Sequence, residues 1–169
     1  IIKVSLIISG VLLILLIAFL AYHKTLDMYI WQDDHATIFK LQHLAAGAGQ
    51  FGTGIYDRNS AYRGIFVFLA PIYYFFGTDP KIYYLAVIIA YFLAGLAVYF
   101  LAKGLTENKT IAIASSLIFA SGFVGAETLW RITNSIHTSH TIIFLCLTLT
   151  AYKKFGDSLK RFSVKTLIL

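Results

Sequence analysis

From Val4 to Tyr22 the chain reads "VSLIISGVLLILLIAFLAY" without a single charge. A helix needs about 20 such residues to cross the hydrocarbon core of a bilayer. Few other environments accept a run of this length, so it constrains everything that follows. A cleaved signal peptide would have an apolar region of roughly 7–15 residues closed by a small-x-small cleavage site. This run is longer, and "AFLAYHK" at its end offers no such pattern. It reads as an uncleaved anchor.

The rest of the chain agrees with that setting. Hydrophobic residues make up 59%, charged residues 13%, and the mean hydropathy is +0.76. Soluble domains average about 45–50% apolar and about 25% charged residues. The net charge of +6 is therefore read through membrane topology and not as a nucleic-acid footprint; no nucleic-acid partner is expected. The single cysteine, Cys146, lies inside an apolar run, which excludes a disulfide framework or a CxxC motif and suits a small buried side chain. The chain starts without Met and stops inside a new apolar run, "VKTLIL", as a piece of a longer protein would.

Four spans are expected: 4–22, 82–102, 110–126 and 137–152, with a fifth starting at 166. Between the first two lies a loop, 23–81, holding two shorter segments. "DDHATIFKLQHLAAG" starts with a capping Asp, and Ala36, Phe39, Leu41 and Leu44 fall loosely at helical spacing before Gly47. It reads as an amphipathic helix on the membrane surface. "GIFVFLAPIYYFFG", Gly64 to Gly77, contains Pro71 and is too short to span. Its aromatics, with those of "KIYYLAVIIAYF", read mainly as an interfacial belt. The fold class is all-α: one polytopic transmembrane helical bundle, 1–169, with interfacial amphipathic helices in the first outer loop.

Lys and Arg are retained on the cytoplasmic side. The link "KGLTENK" carries Lys103 and Lys109, and "KKFGDSLKRFSVK" carries Lys153, Lys154, Lys160, Arg161 and Lys165. Both fall on the side of Lys3 if the 64–77 block does not cross. The 23–81 loop and "ETLWRITNSIHTSH" are then outside, and the protein is multi-pass, in a prokaryotic plasma membrane or an ER-type membrane.

Acidic residues number eight. Asp33 and Asp34 are adjacent at the outer boundary, and Glu127 ends the third span on the same side. Ionisable groups at membrane depth are costly and are functional candidates by default. A carboxylate there can serve as a general base, and the pair could equally hold a divalent cation. The plainer reading makes Asp33–Asp34 a helix cap with a solvated neighbour, and Glu127 an ion-pair partner of Arg131 one turn on. His137 and His140, with His35 beside the aspartates, allow a zinc site with Asp34 to be drawn. There is no HExxH, and such histidines with Thr138 and Ser139 beside them more often make interfacial hydrogen bonds. "GAGQFG", Gly47 to Gly52, matches GxGxxG, but no strand precedes it and no helix follows. It reads as a loop, and no nucleotide cofactor is expected.

The order of these features resembles the start of the GT-C fold glycosyltransferases, nearest to the protein O-mannosyltransferase-like and tetratricopeptide-linked branches. The likeness rests on "WQDD", on "YRGIFVFLAPIYYFFGTDPKIYYLAVIIAYFLAGLAVYFLAKGL", and on "SGFVGAETLWRITNSIHTSHTIIFLCLTLTAY" with its Glu at the mouth of a span. It runs from about Trp31 to Tyr152. Gly64 departs from the branch's usual Pro, and "SGFVGAE" lacks the His-Pro that precedes the family's Glu. The resemblance implies a transferase that moves a hexose from a polyprenyl-phosphate-linked donor to a protein, lipid or glycan acceptor. Asp33 or Asp34 would be the catalytic base, taking the acceptor's proton while the anomeric carbon is attacked with inversion. Arg63 and Arg131 would hold the lipid phosphate, with Glu127 and His137 close by. Metal use differs between GT-C branches, so a cation at Asp33 or Asp34 stays open.

Two rival classes remain. A transporter or flippase would place charges deep within spans and break helices in paired positions, whereas the acids here sit at the mouth. In a non-catalytic membrane subunit the carboxylates would be caps and nothing more.

Overall fold

Helices account for nearly all of the computed structural model, which describes residues 2–30, 32–46, 65–122 and 131–167. In chain order they are α1 (Ile2–Tyr22), a 3-10 turn (His23–Asp27), α2 (Gln32–Ala46), α3 (Ile65–Phe76), α4 (Pro80–Thr106), α5 (Lys109–Ser121) and α6 (Ile132–Leu167). No strand occurs among the described residues. The all-α expectation is met.

Among the described residues two helical segments are long and apolar enough to cross a membrane: Ser9–Asp27, which takes in α1 from Ser9 on and the turn after it, and Pro80–Thr106. Among the described side chains of α1, from Ser9 on, Ile14, Ala18 and Tyr22, four residues apart, are the buried ones, while Leu12, Leu13, Leu15, Leu16, Phe19 and Leu20 are exposed. Along this described part of α1 one narrow stripe is packed and large apolar side chains stand exposed beside it. Of the other expected spans, α5 has 13 residues, about 20 Å of helix. It ends at Ser121, with Gly122 as its C-cap, and 123–126 lie outside the described residues.

The fourth expected span lies inside α6. That helix has 36 residues, about 54 Å of length against the roughly 30 Å of a bilayer core. The basic run 153–165, expected as a link, is helical throughout, with Lys153 pairing to Asp157 one turn on at 3.0 Å. No separate element starts at 166, because Thr166 is in the last turn of α6. Helix-compatible residues and the i,i+4 pair carry the backbone through the polar stretch; Gly156 alone does not stop it.

The helices alternate in direction. Gly10 approaches Ile113 of α5, Gly95 of α4 approaches Ile14 and Ser116, and the Tyr22 hydroxyl donates to the Gly122 carbonyl at 3.3 Å. So α1 and α5 run one way and α4 runs back between them. Small residues allow this closeness: the Ser116 hydroxyl reaches the Gly95 carbonyl at 2.6 Å. The α4–α5 turn has Glu107 in the left-handed region (φ 56°) and Asn108 capping α5 through bonds from Thr110 and Ile111 N–H. Lys103 and Lys109 therefore lie at the same pole as the N-terminus of α1, while the ends of α1 and α5 and the starts of α4 and α6 meet at the other.

The core sits at that second pole. Tyr22, Ile38, Leu41, Leu69, Tyr83, Tyr84, Val87, Ile88, Tyr91, Ile132 and Ile136 form one buried cluster. α2 and α3 enter it through Ile38, Leu41 and Leu69. α3 has 12 residues, about 18 Å, and Gly77 at φ +64° ends it with its N–H on the Tyr73 carbonyl. That matches the short helix expected there.

Candidate functional site

α2 differs from its expected form in two ways. It starts at Gln32, so Asp33 and Asp34 lie inside its first turn and not at its cap. Among its described side chains Asp34, Ile38 and Leu41 are the buried ones, while Ala36 and Phe39 are exposed. The spacing 34, 38, 41 is a helical stripe, but its first member is a carboxylate. A pattern built from apolar residues alone could not have selected that face.

Asp34 is 1% exposed. A buried carboxylate is tolerable only if donors replace its water. They come from the start of α6, nearly a hundred residues along the chain. The Ile132 N–H donates to Oδ2 at 2.8 Å, the Thr133 N–H to Oδ1 at 3.0 Å, and the Thr133 hydroxyl to Oδ1 at 2.7 Å. The first N–H groups of a helix have no partner within it, and its N-terminus carries partial positive charge. Asp34 satisfies both needs at once. It is a cap, as the plainer reading held, but for α6 rather than for its own helix.

These contacts decide what Asp34 can do chemically. Each oxygen is engaged by a backbone N–H that cannot turn away without fraying the first turn of α6. Such an anion holds two elements together and is poorly placed to take a proton from an incoming hydroxyl. Asp33 precedes it in the same turn of backbone.

The other expected residues divide in two. Glu127 and Arg63, like Trp31 and the Gly47–Gly52 loop, lie outside the described residues. Arg131 stands at the start of α6, exposed, its carbonyl accepting the Ser135 N–H at 2.9 Å. Nearly two turns further on, His137 is exposed. The zinc grouping of Asp34, His137 and His140 does not form. His140 is turned against the Phe68 ring, 3.7 Å between centroids, with Nδ1 2.6 Å from the Ile136 carbonyl. Because a carbonyl only accepts, that nitrogen carries the hydrogen. Among the described residues no three of His, Cys, Asp and Glu are grouped to hold a metal. Asp34 offers a cation little, since its lone pairs already face three donors.

Sequence reasoning overlooked Thr133, Tyr83 and Tyr84. Thr133 is buried beside Ile132, and Ser135 and Ser139 are buried on the face of α6 that carries Ile132 and Ile136. The two tyrosines are fully buried, each with its hydroxyl on a backbone carbonyl: Tyr83 on Gly77 at 2.7 Å and Tyr84 on Tyr29 at 3.0 Å. A buried tyrosine needs such a partner, and here the partners are segments leading into α2 and α4. No local signal marks these roles, since each depends on a residue from another element or turn.

Comparison with protein-family models, with curated proteins and with solved structures finds no match to this chain.

Proposed function

We propose that the chain is part of a polytopic membrane glycosyltransferase of the GT-C kind. It would move a sugar from a polyprenyl-phosphate donor to an acceptor on the extracytoplasmic face, with α4 and α1 joined by α5 and α6 as spans. The observation that carries the reading is an acidic helix start docked on the pole where the apolar helices end. There a lipid-borne donor and an aqueous acceptor can meet. The opposite pole carries Lys3, Lys103 and Lys109, which suits a cytoplasmic face.

The division of labour between the aspartates sharpens the proposal. With Asp34 holding α2 to α6, Asp33 is the general base, which takes the proton of the acceptor hydroxyl as that oxygen attacks the anomeric carbon and the polyprenyl phosphate leaves. Arg131, exposed at the start of α6, would meet the departing phosphate. The test is hexose transfer from a polyprenyl-phosphate donor by the full-length protein carrying Asp33→Asn. Loss of a general base lowers the rate by roughly 10²–10⁴ and leaves melting unchanged. Wild-type turnover in a folded variant would refute the assignment. The rival that a specific observation favours is a non-catalytic membrane subunit, since Asp34 is a cap; it predicts no transfer by the wild-type chain at all.

A further inference from the structure

Beside the aspartates a cleft of about 340 Å³ opens between α2 and the start of α4. His35, Ile38, Phe39 and Gln42 form one wall; their spacing places them on a single helical face. Tyr29, Ile30, Thr78 and Pro80 form the other. Phe39 is 58% exposed and Tyr29 is 88% exposed, so two aromatic rings stand open at the rim, while Ile38 is anchored in the core.

Adjacent tyrosines hold the second wall from beneath. Tyr84 binds the Tyr29 carbonyl, and Tyr83 binds the Gly77 carbonyl next to Thr78. The first wall is held by Ile38, Leu41 and the Asp34 cap. A site whose walls are fixed before the ligand arrives loses less affinity to ordering.

The lining selects a ligand class. Among the described residues that form it none is Asp, Glu, Lys or Arg, so apart from the His35 imidazole those side chains offer hydrogen bonds and apolar surface rather than a charge partner for a phosphate or an ammonium group. A lipid chain would leave an imidazole, a carboxamide and a hydroxyl facing hydrocarbon without partners. A neutral sugar ring answers both sides: its hydroxyls donate and accept, as His35, Gln42 and Thr78 do, and its C–H faces lie on aromatic rings. The volume, near the lower end for small-molecule sites, holds a single ring. We infer that the cleft is a monosaccharide subsite, which rests on the transferase reading and places a hexose unit of donor or acceptor against α2.

The test is binding of methyl α-mannoside and methyl β-glucoside to the full-length protein in nanodiscs, read by saturation-transfer NMR, with inorganic phosphate as the charged probe. A hexoside should bind, and Phe39→Ala or Gln42→Ala should weaken it about tenfold or more. Tyr74→Ala, an exposed aromatic outside the cleft, should leave binding unchanged, and each variant's melting temperature should match wild type. In transfer assays Phe39→Ala raises KM for the polyprenyl-phosphate hexose if the donor sugar sits there, and for the acceptor if the acceptor sugar does. Hexoside binding indifferent to Phe39 and Gln42 overturns the inference. So does phosphate competing for the cleft, or Phe39→Trp fluorescence quenched by brominated lipid and untouched by hexoside. Asp33→Asn separates the two ideas: retained hexoside binding with normal transfer sinks the base and spares the subsite, and the converse result spares the base.

Discussion

Asp34→Asn changes one charge and almost no volume, so it isolates what the carboxylate does. In the native protein Oδ1 accepts from the Thr133 N–H and hydroxyl at 3.0 and 2.7 Å, and Oδ2 accepts from the Ile132 N–H at 2.8 Å. An asparagine has one acceptor oxygen and one donor NH₂. Turned to serve Thr133, its NH₂ faces the Ile132 N–H; flipped, it faces the Thr133 N–H. Either way a buried backbone donor loses its partner, which costs about 1–3 kcal/mol. The charge–dipole attraction, up to about 2 kcal/mol in a partly buried geometry, is lost as well. A loss of about 2–4 kcal/mol follows, or roughly 4–16 °C in melting temperature for a chain of this size.

Asp34→Ala orphans all three donors and leaves a void, so it should cost about 4 kcal/mol or more. Thermal unfolding of the full-length protein in detergent measures both variants. Hydrogen exchange localises the effect, since the Ile132 and Thr133 amides should lose protection first. A double-mutant cycle with Thr133→Ala should give a coupling of about 0.5–3 kcal/mol. Turnover should fall only with the folded fraction. If Asp34→Asn melts like wild type while transfer collapses, Asp34 is a chemical residue, and the capping argument fails.

Three further expectations can be checked in the same preparations. Asn108, in the sequon "NKT", caps α5 at the basic pole. It should remain unglycosylated in a microsome system, and efficient glycan addition would invert the orientation. Gly95→Ala should be tolerated, because a Cβ there would meet Ile14 and Ser116 at 3.5 and 3.6 Å; Gly95→Leu should overpack α1, α4 and α5 and cost about 1–3 kcal/mol by thermal unfolding. Tyr91→Phe loses the 2.7 Å bond to the Phe119 carbonyl and about 0.5–1.5 kcal/mol. Tyr91→Ala, which also removes the ring contacts to Tyr22 and Phe119, should cost about 3–5 kcal/mol.

Much of the fold was legible because its signals are local. The uncharged runs behind α1 and α4, and Gly77 closing a short aromatic helix, each declare themselves within a few residues, whereas the Asp79 cap and Pro80 that open α4 two residues before the expected start went unread. The other boundaries that failed had no such marks. The run 153–165 was read as a link from its charge, yet nothing in it breaks a helix except one glycine, and the Lys153–Asp157 pair supports continuation.

In the candidate site the sequence marked residues and not their contacts. Polarity marked Asp33–Asp34 as out of keeping with their surroundings, and local rules then offered two roles, cap or base, for the pair as one motif. Adjacent positions in a helix lie about 100° apart, so a contact that takes one of them is not shared by its neighbour. The contact comes from Ile132 and Thr133, and no window of sequence holds both partners. The same non-local logic ties Tyr84 to Tyr29 and Tyr83 to the turn before α4. Asp34 and the two tyrosines thus act on a common object, the frame around α2: they fix where its face and its first turn stand relative to the bundle. A residue that acts by position betrays itself through stability and exchange, and one that acts on a bond betrays itself through rate alone. Measured side by side, Asp33→Asn and Asp34→Asn must therefore fall on different axes if the pair is divided as argued, and on the same axis if it is not.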